Sequence, residues 1–169
     1  MKKWVVMVII CGLIALMFIP FGRALTFTET RTDQPTLHYI KLTEHTDFQI
    51  IFTHSIHLTD VIESYHVRPT NDFQLLSMEY SDVAIGMPAY AEDGQTLIYE
   101  DGVYTLSYDE AILQNFTLYI GDVDYKLQLQ YMTNIIDLKE QLTRGKSYLF
   151  EVKKLSFYEK LKGVELYGG

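Results

Sequence analysis

Downstream of residue 36 the chain repeats one pattern: short runs of alternating apolar and polar side chains, rich in aromatic and β-branched residues, separated by turn-forming pairs. A period of two puts every second side chain on one face of a strand. Residues 37–42, 48–52, 61–67, 73–78, 96–99, 103–108, 116–120, 125–131 and 148–155 are therefore predicted strands. Asp93-Gly94, Asp101-Gly102, Gly121-Asp122 and Arg144-Gly145 supply the turns between several of them. Two segments break the alternation. Asn134 is placed to cap a helical turn through Ile135, Leu138 and Leu142, and Ser156 with Glu159 has capping-box spacing ahead of Leu161 and Val164. The pattern predicts an all-β domain, an antiparallel β-sandwich, with a partly open β-barrel as the alternative.

The first 25 residues follow another rule. Lys2 and Lys3 precede residues 4–21, which contain no charged side chain. Such a run predicts one transmembrane helix with its amino terminus inside, dividing the chain into an anchor at 1–25 and an extracytoplasmic β domain at 26–169. The expected location is the cell membrane, single-pass. The alternative is secretion after cleavage near Ala24, since Gly22 and Ala24 flank Arg23 as small residues. Cys11 is the only cysteine and lies in the apolar run, so the domain has no internal disulfide and rests on packing alone.

Charge narrows the partners. Three of the 14 basic residues (Lys2, Lys3 and Arg23) precede residue 26, whereas all 22 acidic residues follow it. A domain so acidic repels phosphate backbones, which excludes nucleic acid as a partner. The 13 tyrosines suit half-buried strand positions, with a tyrosine-lined sugar site as the sharper alternative.

Candidate chemistry concentrates between residues 38 and 66, where all five histidines fall. Alternation from Phe48, Ile50 and Phe52 would carry His54 onto an apolar face, and Val61, Tyr65 and Val67 do the same for Glu63. A hairpin between these strands would set His54 opposite Glu63 as a buried pair, since a carboxylate there needs a partner. Zinc or copper would recruit His54, His57, Glu63 and His66, but alternation sends them to different faces. A hydrolase would need a nucleophile beside a base, and adjacent His54 and Ser55 diverge. No cofactor is expected. The loop from Ile85 to Gly94 is a second candidate surface, stiffened by Pro88 and given backbone freedom by Gly86.

His54-Ser55, Glu63-x-Tyr65-x-Val67, Tyr80-Ser81 and Gly86-x-Pro88 together resemble the signature of a bacterial family of small extracytoplasmic domains of unknown function. Members are often encoded beside, or fused to, the membrane subunits of TAXI-type TRAP transporters. The resemblance covers about residues 25 to 155. It departs where relatives read G-A-G and this chain has Ala84-Ile85-Gly86. It implies a membrane-anchored, non-catalytic accessory or binding module, partnered by TRAP membrane subunits or the solute-binding protein. His54, Ser55, Glu63, Tyr65, Ser81, Gly86 and Pro88 are its binding or structural candidates. The rival is a small cell-surface metal-dependent or hydrolytic enzyme using the His54 and Glu63 region.

Overall fold

The N-terminal apolar run folds as α1 (Lys2–Leu16) in a computed structural model that describes residues 2–83 and 86–167. The expected spanning helix is not there at full length. At 1.5 Å per residue, α1 covers about 22 Å, short of the roughly 30 Å hydrocarbon core. Among the described residues no helix is long and apolar enough to cross a membrane. The sequence explains the stop. Met17, Phe18 and Ile19 tighten into i→i−3 hydrogen bonds (3.1, 3.1 and 3.3 Å), Pro20 offers no N–H, and from Gly22 the backbone belongs to a sheet.

That sheet strand, β1 (Gly22–Glu29), is followed by β2 (Leu37–Lys41), β3 (Asp47–Thr53), β4 (Asp60–Val67), β5 (Phe73–Tyr80), β6 (Gln95–Glu100), β7 (Val103–Leu113), β8 (Asn115–Tyr119), β9 (Leu127–Tyr131) and β10 (Asn134–Asp137). Then come α2 (Leu138–Gln141), β11 (Ser147–Leu155), α3 (Phe157–Lys162) and β12 (Val164–Glu165). The smaller sheet runs β12-β2-β1-β11-β8 and the larger β10-β9-β3-β4-β5-β7-β6; only the β12–β2 pairing is parallel. Neither sheet closes into a barrel. Their inner faces share one core, in which Phe27 stacks on Phe150 at 4.5 Å and Phe73 stacks on Phe150 at 4.9 Å. Truncating any of these three rings to alanine should cost about 3–5 kcal/mol. A smaller core of Val61, Tyr80 and Leu106 joins β4, β5 and β7 of the larger sheet, and Phe52 touches both.

Residue 25, the expected end of the anchor, lies inside β1, the central strand of the smaller sheet, where Ala24 is fully buried between Lys41 and Lys153 in register. One predicted element is corrected. Asn134 does not cap a helix. Met132 takes a positive φ of 57°, the chain reverses, and Asn134–Asp137 pairs with β9 because β-branched Ile135 and Ile136 suit a strand, Ile136 reaching the core. The helical turn begins after Asp137, whose Oδ1 accepts from the backbone N–H of Lys139 (2.8 Å) and Glu140 (3.3 Å). The Ser156 capping box forms as its spacing predicts, but Val164 leaves the helix to pair with β2.

Candidate functional site

Glu63 is the polar exception on an inward face. Along β4 the side chains of Val61, Tyr65 and Val67 are buried, and alternation brings Glu63 in with them. Across the next ladders the register slips: Leu76 is extra on β5 against β4, and β7 carries Tyr108, Asp109 and Glu110 between Ser107 and Ala111 where β5 has Leu76 alone. Such bulges bend a strand and re-aim its side chains. Beside them the two sheets part around a cleft of about 660 Å³. Its apolar lining includes Ile50, Phe52, Leu75 and Leu113 from the larger sheet and Phe116 and Leu118 from the smaller one; its polar lining includes Glu63, Tyr65, Thr53 and Ser55.

The Tyr65 hydroxyl donates to Glu63 Oε2 at 2.7 Å. Its ring cannot wander, being stacked on Phe48 at 5.1 Å and on Phe116 at 5.6 Å. Burial pushes the Glu63 carboxyl above its ordinary range, and the Tyr65 hydrogen bond pulls it only part of the way back. Burial, and then the Glu63 charge, push both the Tyr65 and Tyr108 phenols upward. One hydroxyl does not compensate a carboxylate taken out of water, so the site favours any group that offers Glu63 a further hydrogen bond or a positive charge.

The expected His54–Glu63 pair does not form. In the β3–β4 hairpin Glu63 stands opposite Ile50, while β3 ends at Thr53 and leaves His54 in the turn. There the His54 N–H donates to the Thr59 carbonyl (2.8 Å) and its own carbonyl accepts from the Leu58 N–H (2.9 Å). The turn brings together His54 and His57, whose rings stack at 5.3 Å, and His57 Nδ1 lies 3.1 Å from Asp82 Oδ2. No hydroxyl hydrogen-bonds to either imidazole among the described residues. His66 points elsewhere, to Asp47 at 2.6 Å. Of the four residues considered as metal ligands only His54 and His57 come together, and among the described residues no three His, Cys, Asp or Glu gather where an ion could be held. Ser55 is exposed at the cleft, and Val67 is a core residue.

Tyr80, Gly86 and Pro88 form a clamp. The Tyr80 hydroxyl donates to the Pro88 carbonyl at 2.6 Å from a ring that is almost wholly buried, and Gly86 has φ +92°, which L side chains resist. The loop is therefore pinned over the smaller core. Ser81 is exposed on a separate shallow groove with Leu58 and Thr59. Ala84 and Ile85, where the chain departs from the G-A-G pattern, lie outside the described residues. Sequence reasoning missed Asp82, 25 positions from its histidine partner, and Tyr108, which nears Glu63 only through the β7 bulge.

The fold and the site are thus those of a two-sheet β domain with an open, mostly apolar cleft and one desolvated carboxylate. The chain belongs to the family described as Domain of unknown function (DUF1850), which it matches over residues 48–138. No curated protein and no solved structure matches it. The matched stretch holds every strand of the larger sheet together with β8, and with them both sides of the cleft; β1, β2, β11 and β12 fall outside it.

Proposed function

We propose that this chain is a non-catalytic accessory or binding module, held at the outer face of a cell membrane by its N-terminal apolar segment, and that the cleft over Glu63 takes its ligand. One observation carries the reading: a carboxylate drawn into an apolar cleft with a single tyrosine partner costs stability that packing alone does not require. The ligand class follows as a mainly apolar molecule presenting a cationic nitrogen or a strong hydrogen-bond donor. Membrane attachment draws on the uncharged run behind Lys2 and Lys3, with α1 exposed on all sides. Retention of that segment is supported by Ala24, because a cut there would remove the first three residues of β1.

By resemblance, the system served is a TAXI-type TRAP transporter, with its membrane subunits or solute-binding protein as partner. Co-purification from membranes with a tagged copy tests that part separately. The cleft is tested with hexylamine and hexanoate as probes on the full-length protein. Hexylamine should raise the urea midpoint in a concentration-dependent way, as a ligand of the native state does. Hexanoate should not, and Glu63→Gln should abolish the effect. Equal stabilisation by both probes, or an unchanged response in Glu63→Gln, overturns the assignment of the site.

A further inference from the structure

The helix that follows the last long strand is bound to the end of the apolar segment. The Tyr158 N–H donates to the Met17 carbonyl at 3.0 Å, the Phe18 and Tyr158 rings lie 4.8 Å apart, and Lys160 Nζ sits 4.5 Å above the Phe21 ring. Only residues 17–21 separate α1 from β1, and Phe21 is itself tied back by its N–H to the Leu155 carbonyl (3.3 Å). Gly22, the first residue of β1, lies beside the ammonium end of the Lys160 side chain. These contacts hold the end of α1 beside α3, so a surface that α1 enters lies next to α3.

The exposed face of α3 is unusual for this chain. It buries none of its side chains, and Phe157 and Leu161 stand 47% and 64% exposed. Lys160 and Lys162 occupy its last turn, and Lys154, paired with Arg23 across β1 and β11, extends the basic edge. None of these three lysines forms an ion pair among the described residues, in a chain whose net charge is −8. The acidic member of α3, Glu159, is turned inward, accepting from the Ser156 N–H and hydroxyl at 2.7 Å each.

We propose that this end of the domain is a membrane-facing surface, with Phe157 and Leu161 in the interfacial layer and Lys154, Lys160 and Lys162 against anionic phosphate headgroups. The mixture of exposed apolar and basic side chains fits that partner, and continuity with α1 places it there. The inference rests on membrane attachment by the N-terminal segment, and the test separates the two. Trp4, the only tryptophan, reports α1 directly. Full-length Cys11→Ser protein carrying a fluorophore at Leu161→Cys is reconstituted in phosphatidylcholine vesicles, with and without phosphatidylglycerol, containing nitroxide-labelled lipid. Both Trp4 and the label should be quenched, the label more in anionic vesicles. Reversing the lysines (Lys154→Glu, Lys160→Glu, Lys162→Glu) should sharply reduce quenching of the label while sparing Trp4, since each lysine at an anionic surface changes partitioning about fivefold. Quenched Trp4 with an unquenched label overturns the docking surface and leaves the anchor standing. Unquenched Trp4 overturns the anchor and the surface with it, and a label indifferent to lysine reversal overturns the role of the headgroups.

Discussion

Replacing Tyr65 with phenylalanine isolates the one interaction that makes Glu63 tolerable. The ring and its stacking on Phe48 and Phe116 stay, so little packing is lost; what disappears is a 2.7 Å hydrogen bond to a carboxylate in a mostly buried place. Bonds to charged groups contribute about 1.5–3 kcal/mol, and neutral ones about 0.5–1.5. The sign with pH follows from Glu63. Its carboxyl is raised in the fold, chiefly by burial, so its contribution is most favourable below its ordinary value of 4.5 and is lost as pH rises through the folded value. Tyr65 opposes that rise, so Tyr65→Phe raises the carboxyl further and destabilises most at alkaline pH. Urea titrations of both proteins should give a deficit of about 1.5–3 kcal/mol near pH 8, narrowing to about 0.5–1.5 in acid. In the Glu63→Gln background the hydroxyl faces a neutral acceptor, and Tyr65→Phe should cost less and lose its pH dependence. A deficit that is the same in acid and base, or below about 0.5 kcal/mol throughout, would refute the account of a desolvated carboxylate held by one phenol.

Other substitutions test the corrections to the sequence reading. His54→Ala and Glu63→Gln should be additive in urea to within about 0.5 kcal/mol, because the register separates them; strong coupling would restore the pair. A chain beginning at Leu25 should be less stable than one beginning at Gly22 by about 3 kcal/mol. It loses the hydrogen bonds from the Leu42 N–H to the Arg23 carbonyl and from Arg23 Nη2 to the Arg68 carbonyl, and equal urea midpoints would show that residues 22–24 do not matter. Gly86→Ala meets no neighbour within 4 Å, so its cost of about 1–3 kcal/mol is backbone strain alone. It and Tyr80→Phe should both speed amide exchange at Met87, Ala89 and Tyr90, and protection equal to wild type would dissolve the clamp.

Strands with clean alternation between turn pairs were legible, because pleating translates directly into sequence period. β1 was not, since Gly22, Arg23 and Ala24 come directly after the apolar run and look like its tail or a cleavage site. At the site, Glu63 was found by its misfit on an apolar face, which is a real cost and so a real signal. Its partner was sought across the hairpin, when the E-x-Y spacing already puts Tyr65 on the same face two residues away. His54 was misplaced because β3 stops one residue short of it, and strand ends are set by turn hydrogen bonds that periodicity does not encode. The His57–Asp82 contact and the β7 bulge depend on tertiary geometry and left no local trace.

The ladder joining residues 22–29 to 148–155 also dictates when the molecule can fold. Among the described strands β1 is made first, yet its longest neighbour, β11, arrives only after β2 to β10 have been made, and β12 closes the opposite edge later still. Contacts of such sequence separation slow the search for the native state. The larger sheet, built mostly from hairpins of neighbouring strands, is able to assemble earlier, so nascent protein passes through a stage with one sheet formed and its inner face, Phe48 and Phe73 included, uncovered. A chain stopped before β11 is left at that stage, which makes residues 147–155 the checkpoint between an adhesive intermediate and a finished domain.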